Sequence, residues 1–126
     1  MTGNEYQEQA MRTNDGRSTE RLARKMICVS NIRIAVPTLL NGCLGLAGES
    51  GEFLDIVKKW LFHEKPIDEE HMKKELGDVF WYAALICNAM GWNMDEIMQM
   101  NIDKLKTRYP EGFDTEKSNH RKEGDI

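Results

Sequence analysis

Residues 45–90 read GLAGESGEFLDIVKKWLFHEKPIDEEHMKKELGDVFWYAALICNAM, and their spacing decides the fold class. Apolar residues recur at three and four positions instead of alternating, which is the period of a helix. The pattern breaks once, at His63-Glu64-Lys65-Pro66-Ile67. The run before the break starts at about Pro37, a favourable first-turn residue, and ends at about His63. Its last turn carries Lys58, Lys59 and His63, which suits the negative end of a helix dipole. The run after it opens at Asp68, a good N-cap, with Glu69 and Glu70 in the first turn, and ends near Met90, where Gly91 stops it. Two long helices with so short a connection are expected to lie antiparallel.

The flanking sequence extends the pattern. Asn4 to Thr13 is spaced as a short helix, Asn14-Asp15-Gly16 as a turn, and residues 18 to about 31 as a second helix opened by Ser18. A last helix runs from Met94 or Asp95 to Arg108, stopped by Pro110-Glu111-Gly112. No hairpin signal, internal repeat or low-complexity tract interrupts this order. The expectation is an all-α antiparallel bundle of four to five helices over residues 1–113, followed by a polar tail, 114–126. From Thr115 the tail lacks apolar anchors and is expected to be mobile or to dock only on assembly.

Composition narrows the function classes. The chain has 126 residues, with 17 Lys+Arg against 21 Asp+Glu and a net charge of −4. One domain fits that length. The negative balance argues against binding nucleic-acid polymers, which requires surplus Lys and Arg. The longest apolar run, Val79 to Cys87, falls far short of the ~20 residues that span a membrane. Met1 to Gln7 has neither a basic start nor an apolar stretch, so no signal peptide is visible. Cys28, Cys43 and Cys87 form no Cys-x-x-Cys, which disfavours a disulfide framework or zinc site and makes a cytoplasmic location the expectation.

Two acidic pairs then stand out, Glu49-Ser50-Gly51-Glu52 and Glu75-Leu76-Gly77-Asp78. Spacing alone is weak, since at this acid content roughly three or four such pairs arise by chance. Context is stronger. Glu49 and Glu52 share a stripe with Gly42, Leu46, Phe53, Ile56 and Trp60, while Asp55 and Lys58 point elsewhere. Glu75 and Asp78 lie on the stripe of Tyr82, Leu85, Ala89 and Trp92, and from Asp78 onward that helix is apolar all round, as if enclosed. Half-buried carboxylates must be protonated, paired or metal-bound. Four together repel, so divalent cations are the natural solution, and all-oxygen ligands favour Mg²⁺ or Mn²⁺ over zinc. At 1.5 Å per residue, Glu52 lies about 16 Å before the connection and Asp78 about 15 Å after it, which sets them level. Gly42, Gly45, Gly48 and Gly51, each costing roughly 1 kcal/mol against Ala in a helix, form a track that permits close backbone approach.

Three segments carry a resemblance: Gly45 to Glu52; Glu75 to Tyr82; and Asn101-x-x-Lys104-Leu105-x-x-Arg108-Tyr109-Pro110-x-Gly112-Phe113. Together with Tyr6-Gln7-x-x-Ala10 they resemble, in order, the MazG-like all-α nucleoside triphosphate pyrophosphohydrolases, relatives of the dimeric dUTPases and dCTPases. Positions 14 to 36 resemble them less. The resemblance implies Mg²⁺-dependent hydrolysis of a nucleoside triphosphate to the monophosphate and pyrophosphate, in a homodimer or homotetramer, with nucleotide-pool sanitation one possible role. It assigns metal ligation to Glu49, Glu52, Glu75 and Asp78, with Glu52 also orienting or deprotonating the water.

Other residues keep two readings. Asn101, Lys104 and Arg108 share one side of the last helix and either clamp phosphates or are solvated beside Asp103. Tyr109 closes over the site or packs on Pro110. Lys59 binds phosphate or complements the helix dipole, and Trp60 stacks a base or sits in the core. Trp81, Tyr82 and Trp92 read as core or subunit interface, and His63 and His71 as surface or turn residues. A di-iron carboxylate protein would need Glu-x-x-His, which is missing. A non-catalytic helical dimerisation or regulatory module of the same fold is the alternative from another class.

Overall fold

The computed structural model of the protein describes residues 1–27 and 34–120, in two compact units, Met1–Met90 and Gly91–Ile126. The described residues form six helices and no strand: α1 Gly3–Met11, α2 Arg17–Ile27, α3 Val36–Phe62, α4 Glu69–Met90, α5 Met94–Arg108 and α6 Thr115–Asn119. The all-α class is therefore as expected. Cys28, the expected end of the second helix near residue 31, and residues 121–126 of the tail lie outside the described residues.

Local chemistry explains where the helices begin. In α1 the Thr2 hydroxyl accepts from the Glu5 N–H at 3.2 Å and the Glu5 carboxylate accepts from the Thr2 N–H at 2.5 Å, a reciprocal capping box. Ser18 does not open α2. The preceding turn does so, with Gly16 at φ 70° and the Asp15 carboxylate accepting from the Arg17 N–H at 2.9 Å. The start of α3 has no side-chain cap but carries Pro37 in its first turn, where a missing N–H costs nothing. Asp68 caps α4 as expected, accepting from the His71 N–H at 3.0 Å.

The helices α3 and α4 pack along each other as the main element pair of the first unit, and α2 touches α3. Two small residues set their register. A Cβ added at Gly42 would fall 2.7 Å from Cγ1 of Ile86, and one at Gly45 would overlap the Tyr82 ring. Following that antiparallel register toward the connection sets Glu49 and Glu52 against Glu75 and Asp78. Gly48, Gly51 and Gly77 face open space, so only the first half of the glycine track serves close packing. At the far end of the hairpin the Ala35 N–H donates to the Ala89 carbonyl at 3.0 Å, satisfying one of the last acceptors of α4. At the connection, the N–H groups of His63 and Lys65 both reach the Lys59 carbonyl, at 3.0 and 3.3 Å, around a left-handed Glu64 at φ 53°.

The expectation that α4 is enclosed on all sides is not met within one chain. Among the described residues Gly42, Glu75, Cys87 and Ala89 are buried, whereas Phe80 and Trp81 on α4 and Leu44, Leu54 and Phe62 on α3 are exposed. A single partner helix covers one stripe of α4 and leaves the others open. Cys43 and Cys87 are unbonded thiols. No described helix is long and apolar enough to cross a membrane.

In the second unit, the Asn93 side chain caps α5 by accepting from the N–H groups of Asp95 and Glu96 at 2.8 and 3.4 Å. The tail, expected to be mobile or to dock only on assembly, contains a further helical turn. Asp114 accepts from the N–H groups of Glu116 and Lys117 at 2.8 and 3.2 Å, so α6 forms from a cap and needs no apolar anchor.

Gly45→Ala is expected to lower unfolding free energy by about 1–3 kcal/mol, because Tyr82 must move. Gly48→Ala, with open space around it, is expected to raise it by about 0.5–1 kcal/mol. Denaturant melts of the two variants measure the difference, and equal effects would contradict the close approach at Gly45.

Candidate metal centre

On an ideal helix, residues three apart differ by about 60° around the axis. When one member of each acidic pair faces the neighbouring helix, the other must sit at the edge. The hairpin follows this rule. Glu75 is buried and Glu49 half-buried, while Glu52 and Asp78 are exposed. Asp78 therefore does not enter a packed region, contrary to the sequence-based expectation.

One carboxylate oxygen from each of Glu49, Glu52 and Glu75 lies within 4.8 Å of the others. Asp78 falls outside that trio but remains close enough to act on Glu49. Partial burial raises the Glu49 pKa above its ordinary value of 4.5, and the charges of Glu52 and Asp78 and the contact with the Glu75 carboxyl raise it further. Two carboxyls in hydrogen-bonding contact need a proton or a cation between them.

The polar atoms of Glu75 are served unequally. Nε2 of His71, one turn earlier on α4, lies 2.7 Å from Oε1. Oε2 is buried without any hydrogen-bond partner. A buried carboxylate oxygen left unsatisfied is costly, and a cation among Glu49, Glu52 and Glu75 would supply the missing partner. The donor set is all oxygen, as Mg²⁺ and Mn²⁺ prefer. Ligands about 2.1 Å from one Mg²⁺ stand at most ~4.2 Å apart, so modest side-chain adjustment suffices. The residues present fit a divalent cation.

His71 escaped the sequence reading, which treated it as a surface or turn residue. Its i,i+4 spacing to Glu75 was the available signal. Lys59 and Lys58 both pair with the Asp55 carboxylate, which they hold down to a pKa of about 2. Lys59 also lines a cavity of about 570 Å³ at the connection, with Ile56, Lys65, Pro66, Ile67 and His71 among its walls. Trp60 is 45% exposed and is not a core residue of this chain.

In the second unit, Asn101, Lys104 and Arg108 lie along one face of α5 by helical spacing, Asn101 and Lys104 exposed and Arg108 half-buried. Asp103 does not solvate alongside them alone, since its carboxylate accepts from the Gln99 amide at 2.8 Å. Tyr109 packs against Phe113, ring centroids 5.3 Å apart, under the Arg108 guanidinium at 5.9 Å.

The raised Glu49 pKa has a stability consequence. Its contribution is fully present below about pH 4.5 and is lost as pH rises through the higher folded-state value. In EDTA, Glu49→Gln is therefore expected to melt at a higher temperature than wild type at pH 7, with the advantage vanishing toward pH 4. A variant that is less stable at pH 7 would show that the carboxylates are not mutually repelling.

The MazG nucleotide pyrophosphohydrolase domain matches residues 38–113, a span that contains both acidic pairs. The Gene 37 protein of Mycobacterium phage L5 is 34% identical over 73 residues, which cover 55% of this chain and 64% of that protein. The chain thus spans less than two thirds of that relative's length. No solved structure matches the chain. With more than half of its residues inside the matched domain, the chain belongs to the MazG nucleotide pyrophosphohydrolase family.

Proposed function

We propose that the protein is a divalent-cation-dependent nucleoside triphosphate pyrophosphohydrolase, releasing a nucleoside monophosphate and pyrophosphate. The observation that carries this reading is the convergence of one carboxylate oxygen each from Glu49, Glu52 and Glu75 within 4.8 Å, in a group where Glu75 also holds a buried oxygen without a partner. Glu49, Glu52 and Glu75 hold the cation, with Asp78 at the rim as a fourth ligand. Mg²⁺ is the resident ion and Mn²⁺ a substitute; when bound, the ion neutralises phosphate charge and lowers the pKa of coordinated water.

The chain's own residues have the following tasks. Glu52, at the exposed edge of the trio, accepts the proton of the attacking water. That oxygen bonds to the α-phosphorus, and the bond from this phosphorus to the bridging oxygen of the β-phosphate breaks, releasing pyrophosphate. The cavity beside His71 has a volume in the range of small-molecule sites and combines apolar walls with Lys59 and Lys65 and with the acidic Asp68 and Glu69. Of these groups, the two lysines suit the phosphates of an organic substrate. Trp60 offers a ring for the base, and Asn101, Lys104, Arg108 and Tyr109 bind the phosphate arm. Residues 1–113 constitute the catalytic domain and 114–126 its tail.

The protein acts as a homodimer or homotetramer in the cytoplasm. Exposed Leu44, Leu54, Phe62, Phe80 and Trp81, and the lack of any fully buried large side chain among the described residues, support assembly.

A panel of ribo-, deoxyribo- and modified nucleoside triphosphates with Mg²⁺ tests the activity. Pyrophosphate is expected from at least one of them. Glu52→Gln and Asp78→Asn are each expected to cut the rate by about 10²-fold or more while leaving the melting temperature within a few degrees. No pyrophosphate from any member of the panel would instead favour a non-catalytic regulatory module. Light scattering at micromolar concentration checks assembly, and a monodisperse monomer would refute it.

A further inference from the structure

Building on Glu75 as a cation ligand, we infer that His71 is a positioning residue that aims the Glu75 carboxylate into the centre. A glutamate has three rotatable side-chain bonds, so burial alone does not fix the plane of its carboxylate. The contact of His71 Nε2 with Oε1 at 2.7 Å supplies the missing restraint. At that separation two lone pairs would repel, so a proton lies between the two residues, and with Glu75 ionised as a cation ligand that proton is on Nε2. With Oε1 held, Oε2 is left buried and unpartnered, in a carboxylate of which one oxygen lies within 4.8 Å of those of Glu49 and Glu52.

His71 is itself well placed to act as a fixed point. Its N–H donates to the capping carboxylate of Asp68 at 3.0 Å, which anchors its backbone in the first turn of α4. Its ring is about half exposed and lines the neighbouring cavity, so it is not held there as packing. Nor does His71 join the trio of converging ligand atoms. It acts through Glu75, as the outer partners of ligating carboxylates do.

Mn²⁺ binding to wild type, His71→Ala and His71→Gln, followed by the EPR signal of the free ion at one pH, tests this. The glutamine amide reaches Oε1 from the same helix position and donates a proton there. His71→Ala is expected to weaken Mn²⁺ binding about tenfold or more, and His71→Gln to recover it to within about threefold of wild type. Both variants should keep the wild-type far-UV circular dichroism, which separates loss of aim from loss of fold. Wild-type affinity in His71→Ala, or no recovery in His71→Gln, would overturn the inference while leaving the cation reading of Glu75 intact. Failure of the wild type to bind Mn²⁺ would overturn both.

Discussion

A carboxylate oxygen held away from water, with no donor in reach, imposes a demand that the surrounding chain must meet. Glu75 is in that position, and the hairpin around it is organised by the consequences. Burial requires α3 to come close, which the missing side chains at Gly42 and Gly45 allow by admitting Ile86 and Tyr82. The same register then delivers Glu49 and Glu52 to the level of Glu75. Packing and charge therefore pull in opposite directions at this point. Closer helices bury more apolar surface but press like charges together, and the raised Glu49 pKa records that conflict. An apolar residue at position 75 would pack without this penalty.

Much of this was legible in the sequence because helical periodicity is a property of one segment at a time. The bounds of α3, α4 and α5 follow from Pro37, Asp68, Gly91 and Pro110, whose effects are local. The two acidic pairs were legible for the same reason, and helix arithmetic was enough to set them level. What it could not resolve was the difference within each pair. A stripe assignment treats Glu75 and Asp78 alike, whereas about 60° of rotation makes one buried and the other exposed. The contact from His71 to Glu75 was missed although it lies within one helix, because a lone histidine at that spacing is usually a surface residue. Asp114 was missed as a cap because the tail was judged by its lack of apolar residues. A single capping side chain is sufficient to form one helical turn.

The apolar content of α3 and α4 exceeds what two helices can cover. Each presents residues such as Leu54 and Phe80 away from the shared seam. The seam itself is lined by small and acidic residues as much as by large apolar ones, because it is built around the carboxylates. A hairpin specialised in this way contributes little core of its own. Surfaces outside the seam must then carry the stabilisation, which is why the proposed assembly and the proposed centre are physically linked. The residues that would stabilise a bundle lie outside the seam, whose positions the acidic cluster takes up.

Under the proposed function, a chain of net charge −4 must accept a polyanion. The hairpin suggests how. Asp55, with its pKa held at about 2, stays ionised throughout the neutral range and engages both Lys58 and Lys59. One carboxylate cannot neutralise two ammonium groups, so this part of α3 keeps a surplus positive charge two turns beyond Glu52. Lys59 lines a cavity that His71 also lines, together with Lys65, Asp68 and Glu69. A divalent cation on the trio would offset two of its three negative charges and so reduce the local repulsion toward a phosphate chain. The balance is local, and it depends on the spacing of Asp55 to its two lysines as much as on the acids themselves. Net charge over the whole chain argues against nucleic-acid polymers, which need a long basic surface. It does not exclude a small triphosphate, whose charge is read within one or two helical turns.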